Sequence, residues 1–274
     1  MASQWQRLLK NQGTWVGSFT QLSPQAELVQ DTPTEVALIP RDQGATLRQE
    51  IRQQPPGQPV EETVLEYRSL GRGVLFCESG AFSQGSLQWS PVSEFGAELG
   101  LICGTERLRL VQLFQPQAGL SRLTLIREHL QGTAPVLRPA LTVEQLFGTW
   151  VGQAVTVYPD LRPEQGMATR LEVQPAGSDR ITQTLIFGDN PAIQSQGRVV
   201  GASLQFDQGQ SSVTVLPLPG GGSATFPARV QPGQPFFLEV GWLITPGLRQ
   251  RLIRGYDRQG TWESLTWVEE QVEG

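Results

Sequence analysis

Few side chains in this 274-residue sequence have the types that catalysis or metal binding requires. Metal and haem sites need His, Cys or clustered carboxylates, and the chain has one histidine, His129, and two cysteines, Cys77 and Cys103. His129 falls at the end of a predicted strand, where we expect it to be solvated. Both cysteines fall in apolar strands, where we expect buried structural thiols; a cross-strand disulfide and a reactive thiol are the alternatives. We therefore predict no metal site and no cofactor.

The usual signals of nucleophilic and nucleotide chemistry are missing as well. A Ser–His–Asp or Cys–His arrangement would have to use the single histidine, and no Gly-x-Ser-x-Gly elbow occurs. The glycine-rich strings at 71–73 and 220–222 are not followed by the Gly-Lys-Ser/Thr of a phosphate loop. We predict no catalytic residue and favour a protein that is not an enzyme.

The remaining polar candidates come from an internal repeat, because four segments of the first half recur in the same order in the second. The matched pairs are 13–17 with 148–152, 86–89 with 203–206, 98–100 with 239–241, and 109–128 with 251–270. The first pair reads Gly-Thr-Trp-Val-Gly in both halves, and the last has six identical positions. The chain is therefore a duplication.

The last matched pair places a carboxylate, Glu128 or Glu270, near the end of each half. Successive strand residues point to opposite faces, so each Glu shares a face with a Thr and lies opposite a face of Leu or Trp. If the Leu and Trp face is internal, both carboxylates are outward and solvated, which is the interpretation we favour. If the Glu face is internal, each carboxylate must be paired with a cation such as Arg109 or Arg251.

Two kinds of element must position these residues. Helical spacing precedes each Gly-Thr-Trp-Val-Gly string, and short alternating runs between Gly and Pro turns predict about eight antiparallel strands in each half. Closing such strands into a barrel removes exposed edges. We predict an all-β chain of two tandem antiparallel barrels, each preceded by a short helix, over 1–135 and 136–274. A Gly/Pro-rich insertion near 207–235 is expected to form a loop or hairpin that lids a barrel mouth.

A short helix followed by Gly-x-Trp on the first strand resembles the lipocalin-like barrels of the calycin superfamily. That resemblance implies that Trp15 and Trp150 each plug one end of a barrel, with an Arg packed over the ring. Arg109 and Arg251 are the expected cation partners.

The tandem arrangement, with Gly-Thr-Trp-Val-Gly opening each half, is similar to an uncharacterised cyanobacterial and plastid family of double-barrel proteins. Phycobilin lyases of the S and T types and nitrobindin-like barrels are more distant resemblances. The lyases imply a chromophore chaperone, which would need Arg residues and an acid or Tyr near a bilin.

Aromatic residues are concentrated in the second half, which indicates that its barrel holds a flat, mostly apolar molecule. The predicted ligand-binding residues are Tyr158, Trp242, Arg251, Tyr256 and Trp267. The preferred hypothesis is non-enzymatic binding of a small apolar ligand such as a tetrapyrrole or isoprenoid pigment. The alternatives are a chaperone like the phycobilin lyases and an assembly or interaction protein whose barrels are filled.

Composition and charge limit the classes of partner and the cellular location that we expect. The net charge is −5, and no basic run occurs, so nucleic acid is not expected as a partner. No run of about 18 apolar residues is present, so we expect no membrane span. The first residues lack the apolar stretch of a secretory signal. We expect a soluble, cytoplasmic protein, for which a protein partner remains an open alternative.

Overall fold

The computed structural model describes residues 2–116, 119–207 and 212–274, and almost all of its regular structure is β. The first half contains α1 (Gln4–Leu8), β1 (Gly13–Leu22), β2 (Leu28–Arg41), β3 (Thr46–Gln53), β4 (Glu61–Tyr67), β5 (Val74–Phe76), β6 (Phe82–Gly85), β7 (Phe95–Cys103), β8 (Glu106–Gln115) and β9 (Gly119–Leu130). The second half contains β10 (Gly148–Val157), β11 (Gln165–Pro175), β12 (Arg180–Phe187), β13 (Ile193–Val200), β14 (Ser203–Phe206), β15 (Val213–Pro217), β16 (Gly222–Pro227), β17 (Phe236–Thr245), β18 (Leu248–Tyr256) and β19 (Trp262–Val272).

The two halves form two antiparallel sheets, as the all-β prediction requires, but only the second is a closed barrel. In the second half β10 to β19 pair in sequence order, and β19 returns to β10. In the first half β1 pairs with both β2 and β9, and the nine-stranded sheet ends at β4 and β5. It is therefore a curled half-barrel, and the expected closure is wrong there. The three-residue β5 follows a turn containing Gly71 and Gly73, and β4 and β5 are not paired in the described part of the chain.

The Gly/Pro-rich segment near 207–235 contains β15 and β16, which belong to the wall of the second barrel. β16 pairs with β17, with Gly222 opposite Trp242 and Thr225 opposite Glu239. Residues 208–211 of the segment lie outside the described residues. The described part of the segment therefore extends the barrel, and the second half has ten strands where the first has nine.

The largest apolar core lies between the two sheets rather than inside either one. Leu99, Leu110 and Leu125 of the first half and Leu252 and Leu265 of the second belong to one cluster, and each is 0% exposed. The sheets thus pack against each other through their outer faces, and alternation turns the intervening residues into each lumen. The interior of each half holds the polar residues that the repeat shares together with a smaller apolar cluster.

The repeated Gly-Thr-Trp-Val-Gly string has a backbone reason at both glycines. Gly13 and Gly148 have φ of +126° and +120°, a region that side chains rarely adopt. A Cβ on Gly17 would collide with the carbonyl oxygen of Arg127, and one on Gly152 would collide with that of Glu269. The second glycine of each string therefore allows the close pairing of β1 with β9 and of β10 with β19.

Candidate functional site

The tryptophan of each repeat is held at one end of its sheet. Trp15 and Trp150 are each 1% exposed, and their indole N–H groups donate to the carbonyl oxygens of Asn11 and Leu146 at 2.9 and 3.0 Å. Both acceptors lie in the turn that precedes the repeated string, so the helical or 3-10 entry fixes the ring.

The cations over these rings are not the predicted ones. The guanidinium carbon of Arg107 lies 4.5 Å from the centre of the Trp15 ring, and that of Arg249 lies 4.7 Å from Trp150. Arg109 instead lies 5.5 Å from the ring of Phe19. Each observed cation lies two residues before the predicted one. Residues two apart on a strand point to the same face, and both positions are Arg, so the sequence alone does not distinguish them.

The two carboxylates of the repeat point inward, which corrects the favoured outward interpretation. Glu128 accepts hydrogen bonds from Arg107 Nε at 2.8 Å and from Arg109 Nε and Nη2 at 2.9 and 2.8 Å. Glu270 accepts from Arg249 Nε at 2.6 Å and from Arg251 Nε and Nη2 at 3.1 and 3.3 Å. The opposite strand face is occupied by the Leu side chains between the sheets, so only the lumen is left for the Glu side chains.

These buried ion pairs hold the carboxylates ionised. Burial alone would raise the pKa of Glu128, but Arg109 and Arg107 outweigh it and lower that pKa to about 2. Burial likewise opposes ionisation of Glu270, and Arg251 and Arg249 lower its pKa below the usual value. Each Glu accepts hydrogen bonds from two guanidinium groups, and these bonds compensate for the burial of its carboxylate.

A second Glu completes each cluster, and its distance from the Arg differs between the halves. In the first half Arg109 Nη1 donates to Glu98 at 2.6 Å. In the second, Arg251 Nη1 lies 3.5 Å from Glu239 Oε2. Burial raises the pKa of Glu239 above its usual value despite Arg251 and Arg249 nearby. The same set of two Arg and two Glu residues therefore forms a tight cluster in one half and a looser one in the other.

The looser cluster lines the larger of the two lumen cavities. The lumen of the second barrel encloses about 660 Å³, against about 190 Å³ in the first half. Arg249, Arg251 and Glu239 line it on one side. Its apolar walls include Leu171, Leu185, Phe206, Val215, Phe237 and Ile253.

The size difference follows from what enters each lumen. In the first half Leu8 of α1 packs with Leu38, Leu47, Phe76 and Phe82 in a small apolar cluster. In the second half the helix is replaced by a 3-10 turn over Glu144–Leu146. Leu146 of this turn packs with Trp150, Leu171 and Val173, so the entry to the second barrel contributes a side chain from a short turn where the first half has one from a helix.

The structure places one of the five predicted ligand-binding residues, Arg251, at this cavity. Trp242, Tyr256 and Trp267 lie on the opposite face, in or against the core between the sheets. Tyr158 lies beyond the end of β10, where the guanidinium carbon of Arg162 is 3.6 Å from its ring.

Sequence reasoning missed Glu239 and Arg249 as lumen residues. Glu239 is in the matched segment 239–241, and Arg249 is one strand repeat before Arg251, so the duplication contained both signals. The apolar walls carry no such signal, because β11 to β14 have no matched segment that the structure places equivalently.

The candidate metal ligands are dispersed. Cys77 and Cys103 are free thiols, and burial raises the pKa of Cys77 to about 12. His129 pairs across the sheet with Val16 and Glu106. Within residues 2–116, 119–207 and 212–274 no group of three or more His, Cys, Asp or Glu side chains is placed to hold a metal ion. None of the helices in those ranges has the length and apolar character to cross a membrane.

Comparisons with known proteins divide the chain near its middle. Residues 1–133 match the family described as "Domain of unknown function (DUF3598), N-terminal", and residues 137–272 match "Biogenesis factor required for ATP synthase 1, C-terminal domain". A crystal structure of a protein of unknown function from the DUF3598 family of Nostoc punctiforme PCC 73102 is similar over 100% of both chains, with 44% identity and a TM-score of 0.94.

Other solved structures have low sequence identity to this chain and low TM-scores. A putative outer membrane protein from Bacteroides fragilis NCTC 9343 has 10% identity and a TM-score of 0.27, over 97% of this chain and 99% of that one. Kievitone hydratase from Nectria haematococca has 8% identity and a TM-score of 0.23, over 97% and 90%. No curated protein matches the chain.

Proposed function

This chain belongs to the DUF3598 family, and we propose that it is a non-enzymatic assembly factor for an ATP synthase. The observation that carries the proposal is the match of residues 137–272 to the C-terminal domain of a biogenesis factor for that enzyme. The match spans the whole closed barrel, from before β10 to the end of β19.

The geometry supports a binding role for the outer wall of this barrel. One side, β16 to β19, packs against the first half, whereas the described residues of β11 to β14 contribute nothing to the core between the sheets. The Arg and Glu cluster inside holds the strands from within. That cluster joins β17, β18 and β19, and β11 to β14 form the part of the described wall that lies away from the first half and can face a partner.

The full-length chain should form a complex with an unassembled ATP synthase subunit. We would mix it with each purified soluble subunit and, separately, with the assembled enzyme, and measure mass by size exclusion with light scattering. We expect a complex with at least one free subunit and none with the assembled enzyme. Deleting the gene should lower the amount of assembled enzyme on native gels. Normal assembly together with no complex would contradict the proposal.

A second candidate function is binding of a small, mostly apolar ligand in the second barrel. The observation that favours it is the 660 Å³ lumen, which lies within the usual range of ligand pockets. Native mass spectrometry of freshly purified protein tests it. A co-purifying mass that is absent from the Val215→Trp variant, whose larger side chain would project into the lumen and narrow it, is the expected result. If each protein showed only the mass of its own polypeptide, with no added ligand, this candidate would be contradicted.

The pigment and chromophore-chaperone forms of this candidate stay predictions, as does membership of the lipocalin-like superfamily. A chaperone like the phycobilin lyases would need cations for the carboxylates of a bilin, and Arg249 and Arg251 are the two that line the lumen. Absorbance of the co-purifying molecule distinguishes a pigment from other ligands.

A further inference from the structure

We propose that the second lumen binds an amphipathic molecule with one acidic headgroup, that Arg251 anchors this headgroup, and that Glu239 occupies the anchor when the ligand is absent. The inference rests on the second candidate function, occupancy of the lumen. It adds the chemical class of the ligand and the residues that select it.

The N–H groups of the Arg251 guanidinium point in two directions. Its Nε and Nη2 atoms donate to Glu270, which forms the inner part of the cluster. Its Nη1 atom is directed to Glu239 at 3.5 Å, well beyond the usual length of a charge-assisted hydrogen bond. One side of the guanidinium group is therefore fully used, and the other is held weakly at the cavity.

The first half provides an internal comparison. There the equivalent Arg109 has the same two bonds to Glu128, and its Nη1 atom donates to Glu98 at 2.6 Å. That cluster borders a cavity of only about 190 Å³. The weak outer contact thus occurs in the half whose lumen has room for a ligand.

The balance of charge favours an added anion. Glu270 is shared by Arg249 and Arg251, so it neutralises one of two buried positive charges. Glu239 is the remaining carboxylate, and burial raises its pKa, which disfavours the ionised form needed to neutralise the second. An acidic headgroup bound at Arg251 Nη1 would supply that charge and allow Glu239 to become neutral.

The walls define the rest of the ligand. Away from the cluster most of the lining side chains are aliphatic or aromatic, among them Leu171, Val173, Leu185, Phe206 and Phe237, with polar side chains such as Gln183 and Ser195 between them. A carboxylate alone would leave these walls in contact with water, and a wholly apolar molecule would leave Arg251 weakly paired. A molecule with an apolar body and one acidic end satisfies both.

Two dyes of similar ring structure distinguish the contribution of the acidic headgroup to binding from that of the apolar body. 1-Anilinonaphthalene-8-sulfonate carries an acidic group, and N-phenyl-1-naphthylamine carries none. We would measure the Kd of each by fluorescence with the full-length wild type, Glu239→Gln and Arg251→Gln. Glu98→Gln, the equivalent change in the first half, is the matched control.

We expect Glu239→Gln to bind the sulfonate dye about threefold or more tighter, because the competing carboxylate is gone. Arg251→Gln should bind it about tenfold or more weaker, a loss of about 1.4 kcal/mol. Neither variant should change the Kd of the uncharged dye beyond about twofold, and Glu98→Gln should match the wild type with both dyes.

The outcomes separate this inference from the function on which it rests. If neither dye binds the wild type, occupancy of the lumen is itself contradicted. If both dyes bind and Glu239→Gln leaves the sulfonate dye unchanged, the headgroup anchor is overturned while lumen binding stands. Glu239→Gln decides the question should Arg251→Gln fail to fold, since an amide replaces a carboxylate of the same shape. Near-ultraviolet circular dichroism checks that each variant keeps native packing.

Discussion

The guanidinium carbon of Arg254 lies 3.4 Å from the centre of the Trp262 ring, in the core between the two sheets. Arg254 is 0% exposed, and no carboxylate pairs with it among the described contacts. Its Nε atom donates to the Tyr256 hydroxyl at 2.7 Å, and its Nη1 and Nη2 atoms donate to Ser83 Oγ and the Ser86 carbonyl oxygen at 3.0 and 3.1 Å. A single cation of the second barrel thus binds the first half.

Arg254→Met should weaken the attachment of the two halves. The change keeps an apolar stem but removes the cation–π contacts with Trp262 and Tyr256 and the hydrogen bonds to the first half, so we expect the unfolding free energy to fall by about 2–4 kcal/mol. Urea denaturation measures the change. Arg258→Met, at an exposed position of the following turn, is the control and should change stability by less than about 0.5 kcal/mol. A loss below about 1 kcal/mol for Arg254→Met would show that its contacts are not stabilising.

Gly152→Ala should be strongly destabilising although it adds one methyl group. The new Cβ would collide with the backbone of Glu269 and Glu270 on the paired strand β19. Backbone cannot rotate away as a side chain can, so we expect a loss of about 2–4 kcal/mol. Gly166→Ala on β11 meets open space and should be nearly neutral. Equal thermal stability of the two variants would contradict the proposed role of close strand approach.

The fold class could be predicted from the sequence because duplication makes its signals appear twice. The Gly-Thr-Trp-Val-Gly string, Arg109 with Arg251 and Glu128 with Glu270 all occupy equivalent places in the two sheets. The short match of 86–89 with 203–206 does not, since the first segment leads from β6 to β7 and the second is β14. Four residues of alternating polarity recur too easily in a β protein to define an equivalent position.

The inward direction of Glu128 and Glu270 could not be predicted because both faces of their strands are buried. One face of β19 carries Leu265, in the core between the sheets, and the other carries Thr266, which lines the lumen. Alternation shows that two faces differ, but it identifies the internal face only when the other is in water. The packing of one half on the other removed that distinction.

The two thiols should differ in reactivity. Burial raises the pKa of Cys77 to about 12, and it raises the pKa of the half-buried Cys103 to a smaller extent. Thiolate is the reactive form, so in native protein at pH 8 we expect Cys103→Ser to be unreactive toward a disulfide reagent and Cys77→Ser to react slowly. Both variants should react at once in denaturant. Fast labelling of native Cys103→Ser would show that Cys77 is accessible.

Acid should protonate Glu128 and so remove its ion pairs with Arg107 and Arg109. The pKa of Glu128 is lowered from 4.5 to about 2 in the folded protein, where burial is outweighed by Arg109 and Arg107. A depressed folded pKa means that its stabilisation is present above about pH 4.5 and is lost as pH falls toward 2. Unfolding free energy of the wild type should therefore drop across this window.

Glu128→Gln should remove this part of the pH dependence. At pH 6 it leaves two buried guanidinium groups without their shared carboxylate, so we expect it to cost about 3–5 kcal/mol. Between pH 4.5 and 2 its unfolding free energy should decline less steeply than that of the wild type, as measured by urea denaturation at each pH. Glu62→Gln, which disrupts the exposed pair with Arg52, should follow the wild-type curve. Parallel curves for Glu128→Gln and the wild type would mean that the buried pair does not set acid stability, because another carboxylate would then have to carry the same proton linkage.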